Sequence, residues 1–443
     1  MGILAKQMTK TVIENCKIID GLGNASYPGT VSIAQNKIVK NESFDRAAAD
    51  EIIDASGLTL MPGLIDVHCH STFDEPSSND ELFFHRREGL AAIVAGQNVK
   101  KLLQAGVTGF VDPDGIFDVT IDLRDAIDAK IIEGPRMLCG GNALLTSVGG
   151  TAGRLIPDKG LRGYAKIVST PEEIKTEVRR QIKNGVDWIK VHVTGLVPRQ
   201  KGKGEIQAWS LEELKLVCDT AHELGVPVMG HCRNSQSIKD SVEAGMDMLL
   251  HATFMDEHAL EKVVEKNIPL VPSFTFQANL ADYGHRVGAN EDLKEIFRKE
   301  IEESASMLKK AKTAGVPILC GSESGFSLTP YGEWHYRELE IFVSDLGFSN
   351  LDAIAAATGM CGIHAGFNGD TGVIADGKFA DLILVDGDPS QDVRILKNKS
   401  NIKMVFVAGE RVDLTPNRER NPISGWRVSE YSSKTLTQET SGD

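Results

Sequence analysis

The sequence lacks the features that mark secreted and membrane-spanning proteins. It has no Cys-x-x-Cys pair, and its seven cysteines lie singly in apolar segments, as buried reduced thiols usually do. No apolar run approaches the roughly 18 residues that a membrane span needs. The N-terminal stretch is too short and too charged to be a signal peptide. We therefore expect a cytoplasmic protein without disulfides.

An excess of positive charge is also absent. The 443 residues include 48 Lys and Arg against 62 Asp and Glu, which gives a formal charge of -14. Nucleic-acid surfaces need clustered basic residues, so neither a nucleic-acid partner nor a membrane partner is expected. The apolar content of 41% is ordinary for a globular protein, and the length predicts one large and one smaller domain.

The middle of the chain alternates apolar strand-like runs with amphipathic stretches, several of which end on a glycine just before the next run. No GxGxxG follows the first run and no GxxxxGK[ST] occurs, which disfavours an open dinucleotide-binding sheet. Eight repeats of strand and helix predict an α/β fold of the (β/α)8 TIM-barrel type. The eight runs are Gly63 to His70, Val107 to Asp112, Arg136 to Gly140, Val186 to Val193, Val226 to His231, Met246 to His251, Ile268 to Ser273 and Val316 to Glu323.

Short alternating strand patterns bracket this middle at both ends of the chain. Neither end is large enough to bury a sheet face alone, so we predict that the two pack together as one small β-sandwich domain. The expected division is 1–61 and 366–414 for the sandwich, 62–365 for the barrel, and 415–443 for a polar tail that docks on a neighbour or stays disordered.

His68 and His70 stand on an apolar strand immediately before a polar loop. Alternate residues of a strand share a face, so both imidazoles point the same way and can hold one metal ion. A chance pair of buried histidines is the alternative interpretation. The other predicted strands decide between the two, because strand four carries Lys190 and strands five, six and eight end in His231, His251 and Glu323. In a barrel all these strand ends open on one face.

Lys190 lies in the otherwise apolar strand Trp188 to Val193, where an unpaired ammonium would be costly. One interpretation is an ion pair with Glu323. The other is that carbon dioxide has converted the amine into a carbamate that bridges two divalent ions. Imidazole and oxygen ligands without thiolate favour zinc, with manganese or cobalt as alternatives.

Three motifs make the chain resemble the metal-dependent amidohydrolase superfamily over nearly its whole length. The first is Met61 to His70, and the last is the closing Gly372 to Ile383. The remaining one consists of two separate segments, Leu249 to Asp256 and Gly321 to Ser324. The branch of Xaa-Pro dipeptidases (prolidase-like enzymes) and related carboxypeptidases is the most similar one. This resemblance implies a binuclear centre in which His68, His70 and Glu323 hold one ion, His231 and His251 hold the other, and Lys190 lies between them.

The sequence departs from that branch in two places. The family usually has aspartate where this chain has Glu323, which changes the reach of the acid by one methylene group. After strand three the peptidase-like members tend to have Gly-Gly-His-Gly, whereas this chain reads Val148 to Gly153 without a histidine. Peptide substrates are therefore less firmly predicted than hydrolysis itself.

The predicted reaction is hydrolysis of an amide-type C–N bond. A divalent ion lowers the pKa of bound water to about 7, so a hydroxide nucleophile is present at neutral pH and attacks the carbonyl. Glu323 is expected to take the proton from that water and to deliver it to the departing nitrogen.

Three residues are candidates for substrate binding: His192, Arg233 and Tyr331. Arg233 is suited to a substrate carboxylate, which favours a dipeptidase or acyl-amino-acid hydrolase, although a surface ion pair is the alternative. Aromatic residues on the loops after strands seven and eight are expected to form an apolar cup, which instead favours a neutral amide, carbamate, urea or lactam. They are Phe274, Phe276, Tyr283, Phe326, Tyr331 and Trp334. A non-catalytic relative of the fold is a third possibility. We also expect a small-molecule substrate and a homo-oligomer.

Overall fold

The computed structural model describes residues 10–40, 44–76, 87–149, 163–195, 204–416 and 434–442. Its strands are β1 (Lys10–Ile18), β2 (Tyr27–Ala34), β3 (Lys37–Val39), β4 (Glu51–Asp54), β5 (Leu58–Pro62), β6 (Leu64–Asp66), β7 (Val107–Asp112), β8 (Arg136–Cys139), β9 (Ala143–Leu145), β10 (Ala165–Ile167), β11 (Ile189–His192), β12 (Thr194–Gly195), β13 (Ile206–Gln207), β14 (Val228–Cys232), β15 (Met248–His251), β16 (Leu270–Val271), β17 (Leu382–Asp386), β18 (Ile402–Val407) and β19 (Glu410–Arg411).

The helices lie mainly between the strands of the middle segment. They are α1 (Glu88–Gln104), α2 (Val119–Asp128), α3 (Pro171–Asn184), α4 (Leu211–His222), α5 (Ser235–Ala244), α6 (Glu257–Lys266), α7 (Thr275–Val287), α8 (Glu291–Thr313), α9 (His335–Ser344), α10 (Asn350–Ala356), α11 (Gly359–His364) and α12 (Gln438–Ser441). None of the described helices is long and apolar enough to cross a bilayer.

Local signals in the sequence set the helix ends. The hydroxyl of Thr170 accepts a hydrogen bond from the amide of Glu173 at the start of α3, and Ser210 and Glu213 form a capping box at the start of α4. Gly185 ends α3 at φ 98°, a left-handed conformation that glycine adopts without a steric cost. The alternation of helices and strands predicted from the sequence is therefore present.

The middle strands pair in parallel, as the α/β prediction requires. They form one sheet in the order β10-β9-β11-β14-β15-β16 and another in the order β6-β7-β8. Single parallel bridges join Gly140 to Trp188, Leu270 to Ile318, and Cys69 to Ser324. The eighth predicted strand is present only as the two bridges at Ile318 and Ser324, and Glu323 between them has a left-handed conformation with φ 56°. Closure into one barrel stays a prediction.

Strands from the two ends of the chain form one mixed sheet, ordered β19-β18-β17-β5-β1-β2-β3, with β4 beside β1. The antiparallel pairing of β5 with β17 joins the two ends directly. Ile13, Leu60, Leu382 and Phe406 belong to a hydrophobic cluster separate from the main core. The ends therefore pack together as predicted, but a two-sheet sandwich is not confirmed, and the domain bounds stay a prediction.

The C-terminal segment docks on the chain's own loop after the eighth parallel segment. Leu436 is fully buried, its amide donates to the carbonyl of Ser327, and its carbonyl accepts the indole N–H of Trp334. Of the predicted tail, residues 417–433 and 443 lie outside the described residues. The described part docks on this chain itself, whereas docking on a neighbour or disorder was expected.

Candidate metal centre

Five imidazole rings meet at the carboxyl ends of the parallel strands. The ring centroid of His68 lies 5.0 Å from that of His70 and 5.2 Å from that of His251. His231 lies 4.5 Å from His251 and stacks at 5.1 Å on His192. All five residues are at most 5% exposed. Residues that are far apart in the sequence are thus brought to one buried point, as the strand-end argument predicted.

Three of these side chains have the spacing of a metal site. One ligand atom each of His68, His251 and Glu323 lies within 4.8 Å of the others. Both ring nitrogens of His251 are buried and have no hydrogen-bond partner among the described residues. A buried polar atom without a partner costs about 1–3 kcal/mol, and an ion bound to this ring would remove that cost for the nitrogen that it contacts. The residues present therefore fit a divalent ion.

His68 and His70 are oriented through their Nδ1 atoms. Nδ1 of His68 lies 2.8 Å from the hydroxyl of Ser273, and Nδ1 of His70 lies 3.2 Å from the backbone carbonyl oxygen of Asp114, its hydrogen-bond partner. Partners of this kind fix the ring orientation of metal-binding histidines and leave Nε2 for the ion. Burial is the largest effect on the His68 pKa and lowers it well below the ordinary value, so the ring stays neutral.

The ammonium of Lys190 is paired with Asp114, at 3.3 Å from Oδ2. An ion pair was one of our two interpretations of Lys190, but we had named Glu323 as its partner. Asp114 is nearer because the loop after β7 lies across the end of β11. Burial lowers the pKa of Lys190 and the Asp114 charge opposes this.

Glu323 is the most accessible of the predicted ligands, with a side chain that is 19% exposed. Its amide donates to the carbonyl of His68 at 2.7 Å, which fixes it against the first strand. Burial raises its pKa to about 7, against the opposing charges of Arg233, His70 and Lys190. Glu323, His251 and Ser273 all have φ between 55° and 66°, a conformation that costs non-glycine residues about 1–3 kcal/mol.

Arg233 does not lie free at the site. Its guanidinium bonds to both carboxylate oxygens of Glu300 and lies 3.2 Å from Oε1 of Glu205. The same Glu205 accepts a hydrogen bond from Nε2 of His231 at 2.8 Å. Burial alone would raise the Glu205 pKa, but His231 and Arg233 together lower it to about 2. The ion-pair interpretation of Arg233 is supported, in the interior rather than at the surface, and the carboxylate-clamp interpretation is not.

His192 and Tyr331, the other two candidates for substrate binding, have different surroundings. Nε2 of His192 lies 3.0 Å from the hydroxyl of Tyr164 and 3.2 Å from Asp114, which places His192 in the site. Tyr331 is 2% exposed, and its hydroxyl donates to the carbonyls of His70 and Phe73. These bonds make Tyr331 a brace of the first-strand loop, and its contact with substrate stays a prediction.

The aromatic residues expected to form an apolar cup fall into two groups. Phe326 lies 5.5 Å from Phe276 and 6.1 Å from His70, so this pair borders the centre. Phe73, which we had not predicted, stacks on His70 at 4.5 Å. The remaining candidates are core residues rather than part of the cup: Phe274, Tyr283 and Trp334, together with Tyr331.

Sequence reasoning missed Asp114, Glu205, Ser273 and Tyr164. Asp114 and Ser273 each lie two residues after a parallel strand, so polar residues after strand ends were the available signal for these two. Glu205 lies in the hairpin after β12 and had no such signal. The strand-three loop that departs from the prolidase pattern is described only up to Gly149.

A parallel α/β fold with a buried, histidine-rich centre at its strand ends defines a metallohydrolase type of site. A sequence model of the amidohydrolase family matches residues 59–412. The chain therefore belongs to the amidohydrolase family and is a metal-dependent hydrolase of amide-type C–N bonds.

Three known proteins illustrate the range of its relatives. Ochratoxinase from Aspergillus niger is 28% identical over 377 residues, which cover 79% of this chain and 75% of that protein. The crystal structure of a Xaa-Pro dipeptidase with bound methionine is 27% identical, with a TM-score of 0.79 over 91% of this chain and 100% of the other. Phenylurea hydrolase B, at 22% identity and a TM-score of 0.75 over 94% and 100%, shares the fold.

Proposed function

We propose that the centre is binuclear and that zinc is its native metal, with manganese or cobalt as alternatives. His68, His70 and Glu323 would hold one ion, His231 and His251 the other, and a carbamate on Lys190 would lie between them. The observation that carries this proposal is His251, whose two buried ring nitrogens have no partner among the described residues. The parallel bridges at Ile318 and Ser324 also support closure of the strands into a (β/α)8 barrel around this centre.

When bound, divalent ions polarise the substrate carbonyl and lower the pKa of water to about 7. The chain's own contribution is Glu323, which accepts the proton of the attacking water and delivers it to the departing nitrogen. Its carboxylate is the most accessible of the predicted ligands, which suits both halves of that transfer. One water is consumed for each bond cleaved, and the products are an amine together with a carboxylic acid from an amide, a carbamic acid from a urea or a carbonic acid monoester from a carbamate.

For the substrate, we propose a neutral amide, carbamate or urea that carries an apolar or aromatic group. Phe73, Phe276 and Phe326 border the centre beside His70, and these rings offer an apolar surface. Arg233, the expected carboxylate clamp, is already neutralised by two glutamates. A Xaa-Pro dipeptidase or acyl-amino-acid hydrolase remains the second candidate, because a 27% identical structure is that of a Xaa-Pro dipeptidase.

The Glu323→Gln variant tests the proposed chemistry. We expect turnover to fall by about 10²-fold or more, the contribution typical of a general acid–base group, while both ions stay bound. Turnover would be measured on Xaa-Pro dipeptides, N-acyl amino acids, aryl carbamates and ureas, beside metal analysis of the same preparations. Glu323→Asp is the matched control, since it keeps the carboxylate and should retain more activity. Near-normal rates in Glu323→Gln would refute the assigned role.

A further inference from the structure

The carboxylate of Glu205 lies between a histidine of the centre and an arginine. Its Oε2 is 2.8 Å from Nε2 of His231 and accepts the hydroxyl of Thr194 at 2.8 Å, and its Oε1 is 3.2 Å from Nη1 of Arg233. A carboxylate can only accept hydrogen bonds, so His231 carries its proton on Nε2. The lone pair of His231 is therefore on Nδ1, which is the atom left for a metal ion.

The surroundings hold Glu205 in this position. Its backbone amide donates to the carbonyl of Arg233 at 3.0 Å, and its carbonyl accepts the side-chain amide of Asn234 at 2.6 Å. The residue is 5% exposed. The backbone amide and carbonyl of Glu205 are thus both hydrogen-bonded to residues that directly follow β14, the strand that carries His231.

A second buried carboxylate, Glu300 of α8, fixes the arginine. Glu300 is 2% exposed and accepts two hydrogen bonds from Arg233 as well as one from the hydroxyl of Thr253, at 2.8 Å. Thr253 follows His251 by two residues. The chain of contacts from Glu300 through Arg233 to Glu205 therefore connects the outer helix to the strand ends that carry both histidines of the second ion.

We propose that Glu205 is the positioning residue of His231 and that Arg233 and Glu300 hold Glu205 in place. A carboxylate behind a metal-binding imidazole fixes its tautomer and orientation and makes its free nitrogen a better donor. This inference rests on the proposed function, because it takes His231 as a ligand of the second ion. It assigns Arg233 to the support of the centre instead of to the substrate.

The test compares metal binding by the full-length wild type and by Glu205→Gln, each loaded with zinc and, separately, with cobalt. Loss of a partner of this kind typically costs about 10-fold to 100-fold in metal affinity. In Glu205→Gln we expect the affinity for one of the two ions to fall by this factor. The visible absorption spectrum of the cobalt-loaded protein should change as well. Chelator competition measures the affinity of each ion.

Glu177→Gln is the matched control. Glu177 is 6% exposed and pairs with Arg180 at 2.7 Å, so the variant removes an equally buried charge pair that involves no histidine of the centre. Its metal affinities and cobalt spectrum should equal those of the wild type. If Glu205→Gln fails to fold, Glu300→Gln replaces it and should weaken the same ion.

The outcomes separate the two proposals. A wild type that takes up no metal would overturn both the binuclear centre and this inference. A wild type that binds two ions, with unchanged affinities and spectrum in Glu205→Gln or in its replacement, would overturn this inference alone.

Discussion

The ammonium of Lys190 and the carboxylate of Asp114 lie 3.3 Å apart, and both side chains are at most 1% exposed. A buried charge without a partner is strongly unfavourable, so each of these groups depends on the other. Carboxylation of Lys190 would place a second anion beside Asp114. Metal ions would then have to supply the missing positive charge, which couples carbamate formation to metal binding.

We therefore predict that Lys190 is carboxylated only when metal is present. Protein equilibrated with ¹³C-labelled carbon dioxide should show a carbamate carbon signal in NMR after zinc is added, and no such signal after chelation. Lys190→Gln should lose the signal and should retain fewer ions. A fully zinc-loaded wild type without a carbamate signal would show that the ion pair with Asp114 is the state of Lys190 in the holoenzyme.

Asp66 is predicted to hold the first strand and the Glu323 segment together. Its carboxylate accepts hydrogen bonds from the amides of His68 and Ser322, at 3.1 and 3.0 Å, and lies 2.7 Å from Nδ1 of His335. Hydrogen bonds to a charged group contribute about 1.5–3 kcal/mol each, so Asp66→Asn should lower the free energy of unfolding by at least that amount. Urea unfolding of the metal-free protein measures the change.

Asp247→Asn is the control for this experiment. Asp247 also pairs with a histidine, His222, at 2.8 Å and accepts the amide of Val228, but its side chain is 40% exposed. Exposed pairs contribute about 0–1 kcal/mol, so this variant should unfold close to the wild type. Equal destabilisation by the two substitutions would contradict the role assigned to Asp66.

Activity should depend on the ionisation of Glu323. Burial raises its pKa to about 7, and only the ionised carboxylate accepts a proton, so kcat/KM should fall as the pH decreases below the pKa. Bound cations favour the ionised form and move this acid limb to lower pH. A pH–rate profile of the zinc enzyme measures this limb, and an acid limb that persists unchanged in Glu323→Gln would exclude Glu323 as the base.

Phe326 should select among substrates. Its ring lies 5.3 Å from Phe73 and 5.5 Å from Phe276, and it is only three residues beyond Glu323. Phe326→Ala should lower kcat/KM for aryl carbamates and ureas about 10-fold to 100-fold, since burial of an aromatic group contributes about 1.5–3 kcal/mol. Rates with acetylated glycine should change little. An equal loss on both substrates would indicate general damage to the site instead of lost selectivity.

Docking of the C-terminal segment should stabilise the loop behind the centre. Leu436 is fully buried beside Trp334 and Ser327, and replacement of a buried leucine by alanine costs about 2–5 kcal/mol. We expect Leu436→Ala to lower the thermal midpoint, with Thr440→Ala in the exposed part of the same segment as the control. A midpoint equal to that of the control would show that this contact contributes nothing.

The sequence determined the periodic part of this protein. Apolar runs, capping residues such as Thr170 and Ser210, and glycine stops specify the helices and strands locally. The predicted ligands lie in the apolar runs that this pattern locates: His68, His70, Lys190, His231, His251 and Glu323. Because parallel strands share one orientation, these ends had to meet.

Only the tertiary structure decided which side chains pair at that point. Asp114 and Glu205 come from irregular segments, whose paths carry no periodic signal, and they replaced the partners that we had assigned to Lys190 and Arg233. Tyr331 became a brace for the same reason, since its contact with the carbonyl of His70 joins residues 261 positions apart. The strand pattern determines the position of a residue in the fold, whereas the path of the neighbouring loops determines which charged group it contacts.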